Sequence, residues 1–436
     1  MSTRRAFLMV LTLGFAPLGV HGQTVLLEER FAPGDAYRVR CRVDIQGFLS
    51  LPPSKDSKSP ASLSVTGLSA IDYDERILPP LKDAKERTVR LYRRMEFQRK
   101  VGDQPQETSL RPDVRRLVIL RHNNFETPFS PDGPLLWSEI DLVRTDVFTP
   151  ALVGLAPAKE VKPGDSWTAS DAAMRELTDL EKLDAARLNC SFETVTTLAG
   201  RRLARVKLKG TIQGVGEDGP ARHELDGYYL FDLESKRLSY LFINGVHTML
   251  DKEGKAQGKI EGSFTLTREP LENPKELSDE ALRGVNLEPN DDNTLLLMEV
   301  PELGARFLYP RRWRISSVRA NQIALDDPRG SGLLITVEPL AKTPSGAQFL
   351  GEARAWLAEK KATLHRVDSV SAIPGTALEN FLIDADVDKQ RVWLDYYVAR
   401  LPSAGATFAA RLAPPDQETL RREVGRIARS LQINRK

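Results

Sequence analysis

Cysteine is nearly missing from this chain. The 436 residues hold two, Cys41 and Cys190, too few for a disulfide framework or a thiolate metal cage. Histidine is almost as scarce. Beyond residue 22 there are His122, His223, His247 and His365, and none lies two to four positions from another, so the local pairs of zinc sites are absent from the sequence. An excess of one charge is also lacking. Losing Arg4 and Arg5 with a leader leaves the basic residues equal in number to the 60 acidic ones. A balanced chain has no global field to draw it onto phosphate or an anionic membrane, so nucleic acid is excluded as a partner. No run beyond the N-terminus approaches the ~20 apolar residues of a membrane-spanning helix, so no transmembrane segment is expected after leader cleavage.

What is present begins with an address. Arg4-Arg5 runs into the apolar stretch Phe7 to Val20, and small residues stand at Val20 and Gly22. This is the pattern of a cleavable export signal over residues 1–22, cut after Gly22, and it implies a periplasmic or secreted protein. The paired arginines also fit the twin-arginine motif, although Met9 stands where that motif prefers lysine, so both the Sec and twin-arginine routes stay open. Cys41 follows Val39-Arg40 rather than a lipobox.

Period-two alternation dominates residues 23–272. Tyr37, Val39, Cys41 and Val43 alternate with arginines, and Leu188, Cys190 and Phe192 repeat the pattern, so both thiols belong to buried strand faces. In an exported protein they are either a disulfide or two separate buried thiols. Val89, Leu91, Met95 and Phe97 are expected on one face of a strand, opposite Arg90, Arg94 and Glu96. Burial on one side means antiparallel sheet. The rhythm breaks where Leu135, Ile140 and Val143 take helical spacing after Gly133-Pro134, and a second short helix is expected after Ser170.

Residues 273–294 carry Pro274, Pro289 and an acidic run with few apolar side chains, which reads as a linker. The segment 295–436 then shows strands near 295–309, 313–325 and 332–338, followed by a capping box at Ser345 and Gln348. The helix it starts carries Phe349, Leu350, Ala353, Trp356 and Leu357 on one stripe. Three more strands precede a last helix with Asp416 as N-cap and Leu420, Val424, Ile427 and Leu431 inward. The expected fold class is α+β: a long-stranded, half-barrel-like antiparallel domain with a helical crossover, then an antiparallel sheet packed with two helices.

The run Val300 to Trp313, with its Phe307-x-Tyr309-Pro310-x-x-Trp313 core, resembles the PsbP-like superfamily, as does the order of elements over 295–436. That resemblance implies an exported, mostly non-enzymatic class of protein and transfers no ligand residues. The layout of the first domain is similar to the half-barrels of periplasmic lipoprotein and lipid carriers, an analogy of architecture alone.

The catalytic motifs fail on context. Gly214-x-Gly216-x-x-Gly219 runs into Pro220 and a strand rather than a helix, so it is a hairpin turn. Gly254 to Ile260 has the wrong spacing for a phosphate loop. In Asp384-x-Asp386-x-Asp388, Lys389 occupies the place where a calcium loop needs glycine. No cofactor or metal is expected, and no enzyme activity. The expected function is binding or assembly in the cell envelope, with an apolar ligand or an envelope protein as partner. Trp137, Leu142, Phe148 and Leu152 are the candidate ligand contacts, as a lid over the concave face. A docking scaffold without a small ligand and a hydrolase with scattered residues are the alternatives.

Overall fold

The computed structural model describes residues 24–50, 62–82, 86–122, 125–402 and 404–434. The expected export signal lies outside them. Its dominant feature is one antiparallel sheet of 12 strands. Five strands linked by successive hairpins, Lys182–Leu198, Arg201–Gly216, Gly219–Asp232, Arg237–Leu250 and Ala256–Pro270, pair in order. The last of them pairs with Ala36–Ser50, which leads on to Ser62–Ile77 and Glu86–Val101. The sheet ends at Ser166–Thr168 on one side and Phe125–Phe129 on the other, so it is open rather than a closed barrel.

Glycine on the inward-facing positions lets these long strands curl. Leu188, Gly210, Leu225, Gly245, Gly262, Ile45 and Gly67 form one continuous register row. A Cβ on Gly47 would stand 2.1 Å from the Lys259 carbonyl oxygen, and one on Gly227 would stand 2.0 Å from that of Phe242. Neighbouring backbone approaches too closely there for any other residue, as expected of a sheet bent at glycine.

The crossover packs on the apolar face of this sheet. Helix α1 spans Trp137–Arg144 and α2 spans Asp171–Thr178, with the Ser170 hydroxyl accepting from the Ala173 amide. Between them Thr149–Leu155 winds as a 3₁₀ turn that the sequence pattern did not signal. Phe148, Leu152, Leu155 and Met174 pack against Cys41, Cys190, Phe192, Tyr229 and Leu266 of the sheet.

The register slips between Asp72 and Tyr73, so the strand Glu86–Val101 bulges at Arg93 and its alternation inverts. Val89 therefore joins Leu78, Val118, Leu120 and Phe129 on the convex side. Arg90, expected in solvent, is fully buried on the concave side between Glu75 at 2.8 Å and Asp146 at 2.9 Å. The segment 273–294, expected as an unpacked linker, is a strap over that convex cluster. Leu277, Leu282 and Leu287 pack onto it, and Arg76 donates to the Leu277 carbonyl at 2.7 Å. Leucines are few in this segment but spaced well enough to cover the face left apolar by the bulge.

The C-terminal part is a three-layer sandwich. Its eight-stranded antiparallel sheet includes Gly332–Glu338, Gly405–Leu412, Gln390–Arg400 and Leu378–Val387 in adjacent positions. Helix α3, Gly346–Glu359, starts at the expected Ser345–Gln348 capping box and covers Phe381, Ile383, Leu394 and Tyr396 on one face. Helix α4, Gln417–Ser430, buries Leu420, Val424 and Ile427 against Tyr397 and Phe408 on the other. Trp356 is 42% exposed and leaves the expected α3 stripe. Asp416 makes no side-chain cap; it pairs with Arg312 at 3.7 Å and with Arg329. Phe307, Tyr309 and Trp313 are all buried, with the Trp313 indole donating to Glu423 at 2.8 Å. The halves also meet directly, since Leu135–Leu136 pairs in parallel with Leu296–Val300 and the main apolar core runs through both.

Candidate functional site

Between the concave sheet and the crossover lies a cavity of about 610 Å³. Its floor is apolar: Val43, Ile45, Leu225, Ile243, Ile260 and Phe264, with Gly245 and Gly262 among them. They fall in three neighbouring inward rows, Val43–Phe264–Ile243, Ile45–Gly262–Gly245–Leu225 and the row of Ile260, so strand alternation alone puts them on one surface. Its roof is Thr145 to Val147, after α1, and Arg175 to Glu181, from α2 onward. The Arg144 guanidinium reaches Glu217 of the opposite hairpin at 3.3 Å, which ties the roof to the sheet.

The polar groups of the wall are mostly internally matched. Arg121 is bound by Glu176 at 2.5 Å and lies 3.5 Å from Glu126. Glu176 also accepts from the Phe148 amide at 2.5 Å. Burial pushes the Glu126 carboxyl up to about 8, so at neutral pH it holds its proton. Burial likewise raises Asp146 to about 6, against the pull of Arg90, and Tyr92 donates to Asp146 at 3.0 Å. The network orders the loop between the two crossover helices.

His223 and His247 face each other across the hairpin Gly219–Asp232 and Arg237–Leu250, with ring centroids 4.4 Å apart in a T-shaped contact. Both line the cavity. Burial first, then the neighbouring ring, pushes His223 down to about 4, so the imidazole is neutral. His223 is 8% exposed, and its Nε2 is buried without a hydrogen-bond partner in the protein. The Arg175 Nε is in the same state. Among the described residues no three His, Cys, Asp or Glu side chains are placed to hold a metal ion together.

None of the four expected ligand contacts lines this cavity. Leu142, Phe148 and Leu152 are buried in the core beside it, and Trp137 is 44% exposed at the start of α1. Ordinary packing accounts for the three. The cysteines do not bridge: Cys41 and Cys190 are both free and buried, with four strands of the sheet between theirs. Burial pushes the Cys190 thiol up to about 12, which leaves it unreactive. Sequence reading also missed the histidine pair, because the two residues are 24 positions apart. The signal was there, since they stand nearly equidistant from the turn around Ser235. A second depression of about 680 Å³ opens on the other face of the sheet, by Asp44, Lys209, Asp226 and Glu261. Charged side chains pair across it, Lys209 with Asp226 at 3.0 Å.

No protein-family model matches the chain, and no curated protein does. Among solved structures it is similar to the cyanobacterial PsbP of Synechocystis sp. PCC 6803, at 14% identity and TM-score 0.26, over 32% of this chain and 92% of that one. It is similar to lipovitellin, in a structure of lipid–protein interactions, at 8% identity and TM-score 0.29, over 55% of this chain. It spans about a quarter of that lipovitellin chain, 25%. DynF of the dynemicin pathway of Micromonospora chersina follows at 8% identity and TM-score 0.14. The PsbP-like resemblance is thus a weak one, and scores of this size carry no argument about function. No helix among the described residues is long and apolar enough to cross a membrane.

Proposed function

We propose that this chain is an exported, non-enzymatic binding protein that holds an apolar ligand between its curled sheet and the helical crossover. The observation that carries the reading is the cavity itself: about 610 Å³ with a floor of aliphatic and aromatic side chains. A cavity of this size and lining is typical of small-molecule sites, which lie at ~300–1,000 Å³ and are mainly apolar with a few placed polar groups. Export rests on the pattern of residues 1–22, and sequencing the N-terminus of exported protein should begin at Gln23.

The test is to fill the space. Gly245 lines the cavity, and a Cβ there would meet only the Leu225 side chain, at 3.4 Å. Gly245→Phe should leave the sheet folded and occupy the void. The neutral fluorophore N-phenyl-1-naphthylamine should bind the wild type at one site and the variant at least tenfold more weakly. A folded wild type that does not bind it, or a variant that binds it equally, contradicts the proposal.

A further inference from the structure

The polar atoms left over in this cavity say more about its ligand than the apolar ones do. A hydrogen-bonding nitrogen buried without a partner loses its water and gains nothing in return, so such atoms are rare unless something supplies the partner. His223 Nε2 is buried, unpaired and part of the cavity lining. It stands one register step beyond Leu225 and Gly245, toward the Gly216–Gly219 turn, so the apolar floor leads up to it. Its ring is held by the T-shaped contact with His247.

The charges around it decide what kind of partner fits. Asp179, Glu181 and Glu217 line the same cavity and disfavour an anion. Two of the three lining cations are already engaged, Arg121 by Glu176 and Arg144 by Glu217. The third, Arg175, has a buried Nε with no partner, which a neutral oxygen can satisfy as an acceptor. The imidazole is neutral, so it can accept from a hydroxyl or donate to an oxygen.

We infer that the ligand is an uncharged amphiphile, of the class of long-chain alcohols and acylglycerols, whose apolar chain lies on the Ile243–Phe264 floor and whose hydroxyl or carbonyl head pairs with His223. This rests on the apolar-ligand reading above and adds the head group. A fatty-acid carboxylate meets Asp179, Glu181 and Glu217 against the single lining cation not engaged by a carboxylate, Arg175, and a quaternary ammonium has no hydrogen bond to give.

The test compares heads at constant chain length. Dodecanol, dodecanoate and dodecyltrimethylammonium would each displace N-phenyl-1-naphthylamine from the wild type, from His223→Leu and from His223→Gln. The wild type should prefer dodecanol to either charged head by about tenfold, the scale of one buried hydrogen bond. His223→Leu should keep the fluorophore but lose the preference, and His223→Gln, which retains a donor and an acceptor, should restore part of it. Fluorophore binding with no head preference, or with one that survives His223→Leu, overturns the head-group inference and leaves the apolar cavity standing. A preference for dodecanoate overturns it too. Failure of the folded wild type to bind the fluorophore at all removes both readings.

Discussion

The N-terminal and C-terminal sheets both alternate apolar with polar side chains, and they dispose of the apolar side differently. In the C-terminal sandwich each face receives its own helix, and the anchoring residues, Leu357 of α3 and Ile427 of α4, are completely buried. In the N-terminal sheet glycine occupies several inward positions, which lets the strands curl but removes the side chains that would fill the curl. The crossover fills one end, around Phe148 and Leu152, and leaves the other open over Ile243, Ile260 and Phe264. Curvature and vacancy therefore have the same origin, and a sheet built this way is suited to holding a guest where the C-terminal one is suited to packing helices.

That contrast can be broken most decisively at a glycine. Gly47→Ala puts a Cβ 2.1 Å from the Lys259 carbonyl oxygen, and the expected loss exceeds ~4 kcal/mol, outside the usual range for one substitution. Gly351→Ala in α3, where nothing lies within 4 Å, should instead stabilise by roughly 0.5–1 kcal/mol. Urea titration of both variants checks this. A Gly47→Ala protein of near wild-type stability would show that glycine does not set the curl.

Core truncation should separate the two regions next. Ile427→Ala opens a hole in a filled interface and should cost about 4 kcal/mol. Ile243→Ala only enlarges a space that exists already and should cost nearer ~2 kcal/mol. Equal losses, measured by chemical denaturation without ligand, would mean the cavity is not open in solution.

A further test uses pH. Glu126 faces Arg90, Arg121, Glu176 and Asp146, and burial, the dominant influence, lifts its carboxyl to about 8. The folded chain then holds a proton that the unfolded chain releases near ~4.3. Its contribution is therefore full below that value and is lost as pH rises toward 8. Glu126→Gln keeps the shape without the titration, so the fall in denaturation midpoint between about pH 5 and about pH 9 should flatten. An unchanged slope would place the carboxyl in a wetter site than the structure gives it.

Much of the architecture was legible from period. Alternation located the long strands, Ser170 and Ser345 marked helix starts by their capping chemistry, and the spacing of Leu420, Val424 and Ile427 gave the buried face of α4. The failures have specific causes. One bulged residue at Arg93 inverts every assignment upstream of it on that strand, and nothing local announces a bulge. The strap 273–294 looked like a linker because average composition hides three leucines with a surface to cover. The site itself was hardest to see. Trp137, Leu142, Phe148 and Leu152 were conspicuous because they are large, whereas the cavity arises from residues that are small, Gly245 and Gly262, and from a histidine pair made only by strand register.

Native mass spectrometry of protein purified from the exported fraction tests most directly whether this cavity is occupied when the protein works. The wild type should carry one equivalent of added mass that extracts into organic solvent as an uncharged amphiphile, and Gly245→Phe should carry none. Bare polypeptide mass in the wild type, with no uptake when dodecanol is supplied, would contradict this occupancy.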